Sequence, residues 1–469
     1  MAAKRKELAT KTKIAKKAAN AKNASATRSS SELAEATAAL REANLAFAAV
    51  HQGEGPGRQP VHTVYGGAQL FGADSVPKLG RIALAAMDQY APDARALGDA
   101  LGISKHPALS TIAERVRDKL EREPIEDFRI DFEDGYGNRP NAEEDGHAAQ
   151  VVRELAAGGK AGTLSPFIGM RVKPLNEELR ARSVRTLELV TTGLVEAHAL
   201  PERWVVTIPK ITIIEQVEYT VALLRQLERK LGLADRTLLF EAMIETPQIV
   251  LDTSGRALMP RLLAASDGRL RGAHFGTYDY TAGINITAAH QRMQHLACDF
   301  AKHFMQVAFA GTEVWLSDGS TTVMPVPVHR AKKGRALSAE QEAENRASVH
   351  AAWKLHFDDV RHSLAGGFYQ GWDLHPAQLV SRYGALYSFF LEGIEAAGVR
   401  LHNFVEKAAQ ATLVGDVFDD AATGQGLLNF FLRGINSKAI TEAEALRMTG
   451  LTAEDFLSRS FVKIMKARA

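Results

Sequence analysis

Eight short apolar runs, separated by stretches of helical periodicity, constrain this chain more than any other feature. They are VHTVYGG (61–67), DFRIDFED (127–134), FIGMRVKPL (167–175), WVVTIPKI (204–211), TLLFEAMIET (237–246), LRGAHFGTYD (270–279), EVWLSDG (313–319) and GGFYQGWDLHP (366–376). Between them apolar residues recur at three and four positions, as in VEYTVALLRQLERKLGL (217–233). Strands alternating with helices signal βαβ units and a parallel sheet. Eight of them predict an α/β fold, a closed (β/α)₈ TIM barrel over residues 31–390, and 469 residues are enough to fill its core.

Around that barrel the sequence predicts two additions. Residues 1–30 carry nine lysines and arginines against the single acid Glu7, with too few large apolar residues to anchor them, and read as a disordered basic tail. Residues 32–50 have helical spacing and are expected to pack on the body. Residues 391–469 read as a C-terminal helical region serving as lid and oligomerisation element. The tail also explains the formal charge of +2: without it the chain is mildly acidic, so no nucleic-acid partner is expected. Cys298 is the only cysteine, which excludes an intrachain disulfide and suits a reducing compartment. No run approaches the roughly 20 apolar residues that cross a bilayer, and the N-terminus lacks the apolar segment of a secretory signal. A cytoplasmic protein without a membrane partner is expected.

Most of the runs end in residues that chemistry uses and cores avoid: Asp131 to Asp134, Arg171, Lys210, Glu245, Asp279, Asp318 and His375. In a parallel barrel the C-terminal strand ends converge on one mouth, where active sites sit. Glu245 and Asp279 close consecutive runs, and two carboxylates side by side repel unless a cation stands between them. Mg²⁺ is typically held by one or two carboxylates plus water and substrate oxygens; each acid alone would as readily be a helix cap. Glu133 and Asp134 can accept from metal-bound waters. Arg171 offers a planar fork to a substrate carboxylate or enolate. Lys210 reads as a counter-charge, with a Schiff-base role as the alternative, and His375 as a substrate contact or as part of a His-Pro turn.

Taken together these residues resemble the citrate lyase β-subunit / HpcH–HpaI aldolase superfamily, most of all its citrate lyase β-like branch. The motifs in order are Asp131–Asp134, Arg171, Pro209-Lys210, Glu245-Thr246, Gly276–Asp279 and His375–Gln378. The resemblance implies Mg²⁺, or Mn²⁺, on Glu245 and Asp279. It implies catalytic roles for Arg171, Glu133 and Asp134, and substrate contacts from Arg171, Lys210, Gly276 and His375. It further implies a homo-oligomer (dimer, trimer or hexamer) in which a lid at 411–421, carrying the catalytic Asp419, reaches a neighbour's site. The expected activity is carbon–carbon bond cleavage or formation through an enolate, as in aldolases and citrate lyase-like enzymes. The chain departs from the branch in its first run, in Gly371-Trp372 where Gly-Lys is common, and in an insertion at 325–350. Those departures leave the substrate open between an acyl-CoA thioester (malyl-, citramalyl- or citryl-CoA) and a free 2-oxo acid aldol. The alternative is a non-catalytic or partner-dependent subunit of a larger lyase complex.

Overall fold

The structure is a computed structural model that describes residues 32–53, 55, 57–331, 335–406, 412–414, 417–419 and 421–468, with Lys13 and Lys16 before them. It divides into two units, Met1–Gly55 with Ala310–Glu313, and Pro56–Phe309 with Val314–Ala469. In the first unit residues 32–50 are helical as expected. On this helix Leu33, Leu40, Leu45 and Phe47 are exposed. The stretch is alanine-rich enough to be helical by local propensity, whether or not it buries a face.

The second unit holds the barrel. Its strands are β1 (His62–Gly67), β2 (Asp127–Asp131), β3 (Phe167–Arg171), β4 (Trp204–Ile208), β5 (Leu239–Ile244), β6 (Leu270–Phe275), β7 (Trp315–Ser320) and β8 (Gln370–Asp373). They close in chain order, and β1 pairs in parallel with both β2 and β8. Each strand lies inside one of the eight apolar runs, except that β7 extends one residue past its run to Ser320. The register sets Asp131 beside Arg171, and Arg171 beside Thr207. Among the intervening helices are α1 (Ile214–Leu231), α2 (Thr277–Gly283), α3 (Leu296–Phe309), α4 (Ala339–Ala365) and α5 (Gln378–Glu406), the last running unbroken past residue 390. Gly232 ends α1 at φ 68, a left-handed cap that any Cβ would strain. Beyond α5 lie a short antiparallel pair, Thr412–Val414 with Val417–Asp419, and four helices from Ala421 to Arg468. Asp419 ends the second of those strands; its side chain, with Asp416 and Asp420, lies outside the described residues.

Alternation along the strands sorts the core. Phe128, Ile130, Ile168, Met170, Val206, Ile208, Phe240 and Phe275 are all buried, each stabilising the fold by roughly 1.5–3 kcal/mol. The alternate positions turn inward, where the lumen holds a polar layer. Arg129 on β2 donates across the barrel to both oxygens of Glu241 on β5, at 2.8–3.1 Å, and Nη1 meets Asp127. His274 on β6 stands 3.2 Å from Glu241. Thr63 donates to Asp127 at 2.8 Å, and Gln370 to Thr63 at 3.0 Å. All are buried, so the charged groups Asp127, Arg129 and Glu241 meet one another away from solvent.

Cys298, on α3, is fully buried, and burial pushes its thiol up to about 12. The folded protein should therefore resist a disulfide reagent at neutral pH, because the thiolate is the nucleophile. One thiol per chain should react once denaturant is added. Rapid stoichiometric labelling of the native chain would contradict this burial.

No helix among the described residues is long and apolar enough to cross a membrane.

Candidate active site

At the C-terminal ends of β2 to β6 the charged residues converge. The sharp turn after β2 is organised by Asp131, whose carboxylate accepts from the backbone N–H of Glu133 at 2.9 Å and of Gly135 at 2.7 Å. From the neighbouring strand, Arg171 adds Nε at 2.8 Å and Nη2 at 2.6 Å to the same carboxylate. The planar edge expected to grip a substrate is thus spent on Asp131. What remains is Nη1, 3.0 Å from Glu133 and 3.7 Å from Asp134. The guanidinium also lies over Tyr65 of β1, 4.8 Å from its centroid, and near Trp372 of β8 at 6.0 Å. Those two rings, 4.5 Å apart, wall the β1–β8 side of the mouth.

Lys210 bridges the acids. Its ammonium contacts Glu133 and lies 3.2 Å from Asp134 and 3.7 Å from Asp279. Its backbone N–H donates to Glu245 at 2.7 Å. Burial works against that charge, but Glu133, Glu245 and Asp134 together raise the ammonium above its usual range. Lys210 is therefore fixed as a cation, which disfavours the Schiff-base alternative. It also sits at φ 52, a left-handed backbone unusual for lysine and common at functional sites.

The carboxyls differ sharply. Burial, with the nearby negative charge of Asp279, pushes Glu245 up to about 8. Burial pushes Glu133 up to about 7, only partly offset by Arg171. Asp134, more open, is held below its ordinary value by Arg171 and Lys210 in spite of its own partial burial. Gly276 is placed where a Cβ would stand 2.5 Å from Glu245, so its role in this structure is to leave that side chain room.

Three residues stand elsewhere than strand position suggested. Asp279 is not a strand end: β6 stops at Phe275 and Asp279 lies in the first turn of α2, still within reach of Lys210. Asp318 faces away from the lumen, held by Lys302 of α3 at 3.0 Å and Ser363 of α4 at 2.6 Å. His375 caps the turn before α5, its Nδ1 accepting from Ala377 at 3.2 Å, and among the described residues no bond links it to the acidic cluster. Burial lowers its pKa, which keeps the ring neutral. Sequence reading also passed over Tyr65, Arg129, Glu241 and Trp372. For Arg129 and Glu241 the signal was present, because Asp127-x-Arg129-x-Asp131 puts charge on one face of an otherwise apolar strand.

A family model described as "Domain of unknown function (DUF6986)" matches residues 40–464. The chain belongs to this family. No curated protein matches the DUF6986 chain. Among solved structures, a citrate lyase from Burkholderia xenovorans LB400 covers 84% of this chain and 98% of its own, with TM-score 0.53 and 17% identity. A malate synthase from Haloferax volcanii, in a magnesium/glyoxylate complex, covers 87% and 99%, with TM-score 0.46 and 15% identity. At such identities the likeness is one of fold: the chain shares its closed (β/α)₈ barrel with the citrate lyase structure.

Proposed function

We propose that the chain is a Mg²⁺-dependent enzyme that makes or breaks a carbon–carbon bond next to a carboxylate through an enolate. One observation carries the reading. Five carboxyls (Asp131, Glu133, Asp134, Glu245 and Asp279) share the mouth with two cations, Arg171 and Lys210. Glu245, buried and met at close range only by the Lys210 backbone N–H among the described residues, is the acid whose pKa is raised furthest. Such an excess of hard oxygen donors fits a divalent cation. Among the described residues no three His, Cys, Asp or Glu side chains are arranged so that all of them could hold one metal ion. Glu245 and Asp279 would thus hold the ion, leaving its other positions to water and substrate.

When bound, Mg²⁺ supplies Lewis acidity to the substrate's carboxylate and carbonyl oxygens. The chain does the rest. Arg171 Nη1 and the Lys210 ammonium face the developing enolate charge. Glu133, near neutrality at about 7, can take the proton of a substrate hydroxyl as the carbon–carbon bond breaks and its electron pair passes into the enolate. Tyr65 and Trp372 narrow the mouth and exclude water. The substrate class is a carboxylate-bearing acyl thioester or a 2-oxo acid aldol.

Calorimetry tests the metal assignment. Glu245→Gln and Asp279→Asn should each weaken Mg²⁺ binding by at least about tenfold while circular dichroism stays unchanged. Wild-type affinity in either variant would remove that residue from the site.

The segment 411–421 is proposed as a lid that completes a neighbouring copy's mouth in a homo-oligomer, with Asp419 handling a proton. Gly415 suits a hinge, and Asp416, Asp419 and Asp420 supply carboxylates. Mixed after subunit exchange, inactive Arg171→Met and Asp419→Asn chains should regain activity. Silent hybrids would place the lid in cis or leave Asp419 without a catalytic role.

A further inference from the structure

Beside the mouth, over the ends of β6 and β7, lies a cavity of about 300 Å³ that plays no part in the chemistry described above. It starts one residue from Asp279: Tyr278 lines it and ties the β7 loop in place, donating to the Ser320 carbonyl at 3.0 Å and accepting from the Thr322 N–H at 3.2 Å. Its floor is Asp359, whose two oxygens accept from Gln294 Nε2 at 3.0 Å and Thr321 Oγ1 at 2.6 Å. Its rim holds Arg292, exposed, whose guanidinium has no hydrogen-bond or ion-pair partner among the described residues. Along one side Val323 and Leu355 are left 49% and 42% exposed, and Met324, Val326 and Val328 extend the same apolar strip along the chain.

We propose that this cavity is a subsite for the distal end of the substrate, namely an anionic group carried on an apolar spacer. The inference rests on the mouth being the reacting site. Tyr65 and Trp372 close the β1–β8 side, so a substrate longer than the reacting carbons leaves over β6 and β7. There the spacer covers Val323 and Leu355 and the anion meets Arg292. The Asp359 carboxylate only accepts and repels an anion, so the charge stands at the rim and not on the floor. Arginine suits both a carboxylate and a phosphate. The anion is therefore either the far carboxylate of a dicarboxylate or the phosphate of a thioester carrier.

Binding of matched probe pairs to the full-length protein distinguishes these sources. Pantetheine is compared with 4′-phosphopantetheine, and butyrate with glutarate. In the wild type, one charged member should bind about tenfold tighter than its uncharged-end partner, and the pair that shows the margin names the source. The margin should vanish in Arg292→Gln, an exposed position where folding is not at stake. Val323→Asp, also exposed, should weaken the charged probe by a similar factor. The idea is overturned if neither pair shows a margin, or if the margin survives in Arg292→Gln. It is equally overturned if self-association of the chain competes with the probe, since the face would then be an interface between copies. None of these readouts needs Mg²⁺, so loss of the metal assignment at Glu245 would be seen separately.

Discussion

Arg171→Met is expected to destabilise the fold by about 3–5 kcal/mol, the cost of breaking one partner out of a buried ion pair. Asp131, 1% exposed, would keep its two backbone donors and lose both guanidinium bonds. Arg171→Lys restores a charge but not the two-pronged edge, so it should recover less than half of the loss. Removing both charges, in Arg171→Met with Asp131→Asn, should recover more than Arg171→Lys does, because Asp131 is then not stranded and Glu133 keeps Lys210. Urea unfolding of the three variants measures this directly. Equal midpoints for wild type and Arg171→Met would mean that the pair does not hold the turn after β2. Turnover should disappear in all three variants, since Nη1 reaches the reacting centre only while Nε and Nη2 are anchored.

Glu245→Gln has the opposite expected sign. The buried carboxyl is held at about 8 when folded, against 4.5 ordinarily. Its folded form therefore binds a proton more tightly than the unfolded chain does. At pH 4 both forms are protonated and the residue costs nothing. As pH rises from 4.5 to 8 the unfolded chain releases its proton first, and stability falls, levelling above 8. Glutamine cannot ionise, and its amide oxygen still accepts from the Lys210 N–H. In metal-free protein the variant should match wild type near pH 5 and exceed it near pH 8, by on the order of a few kcal/mol. Added Mg²⁺ should raise the melting temperature of wild type alone. Thermal melts across pH, with chelator and with Mg²⁺, check both statements. Parallel pH profiles for the two proteins would show that Glu245 is not the strained group.

The barrel was legible in the sequence because its signal is distributed: eight apolar runs, each alternating with a helical stretch, leave few other closed arrangements. The cluster was legible where residues sit at or just past a strand end, as with Arg171, Lys210 and Glu245. Reading failed where direction matters. Asp318 sits inside its strand, and Ser317 beside it faces the neighbouring strands differently, so one step along the chain turned its carboxylate toward the helices. Asp279 reads as a strand end because the apolar run does not show where β6 gives way to α2. The engagement of Arg171 by Asp131 was out of reach altogether. It depends on a register pairing between two strands that lie 40 residues apart in the chain.

The charged layer in the lumen carries a lesson about how such a protein can change over generations. Asp127, Arg129, Glu241 and His274 come from three strands, and each is buried where no water or outside ion offsets its loss. Any single replacement strands the others, whereas a concerted exchange for apolar residues of like volume could leave the barrel intact. Drift at these positions is therefore blocked one step at a time, and the four should persist or disappear as a set.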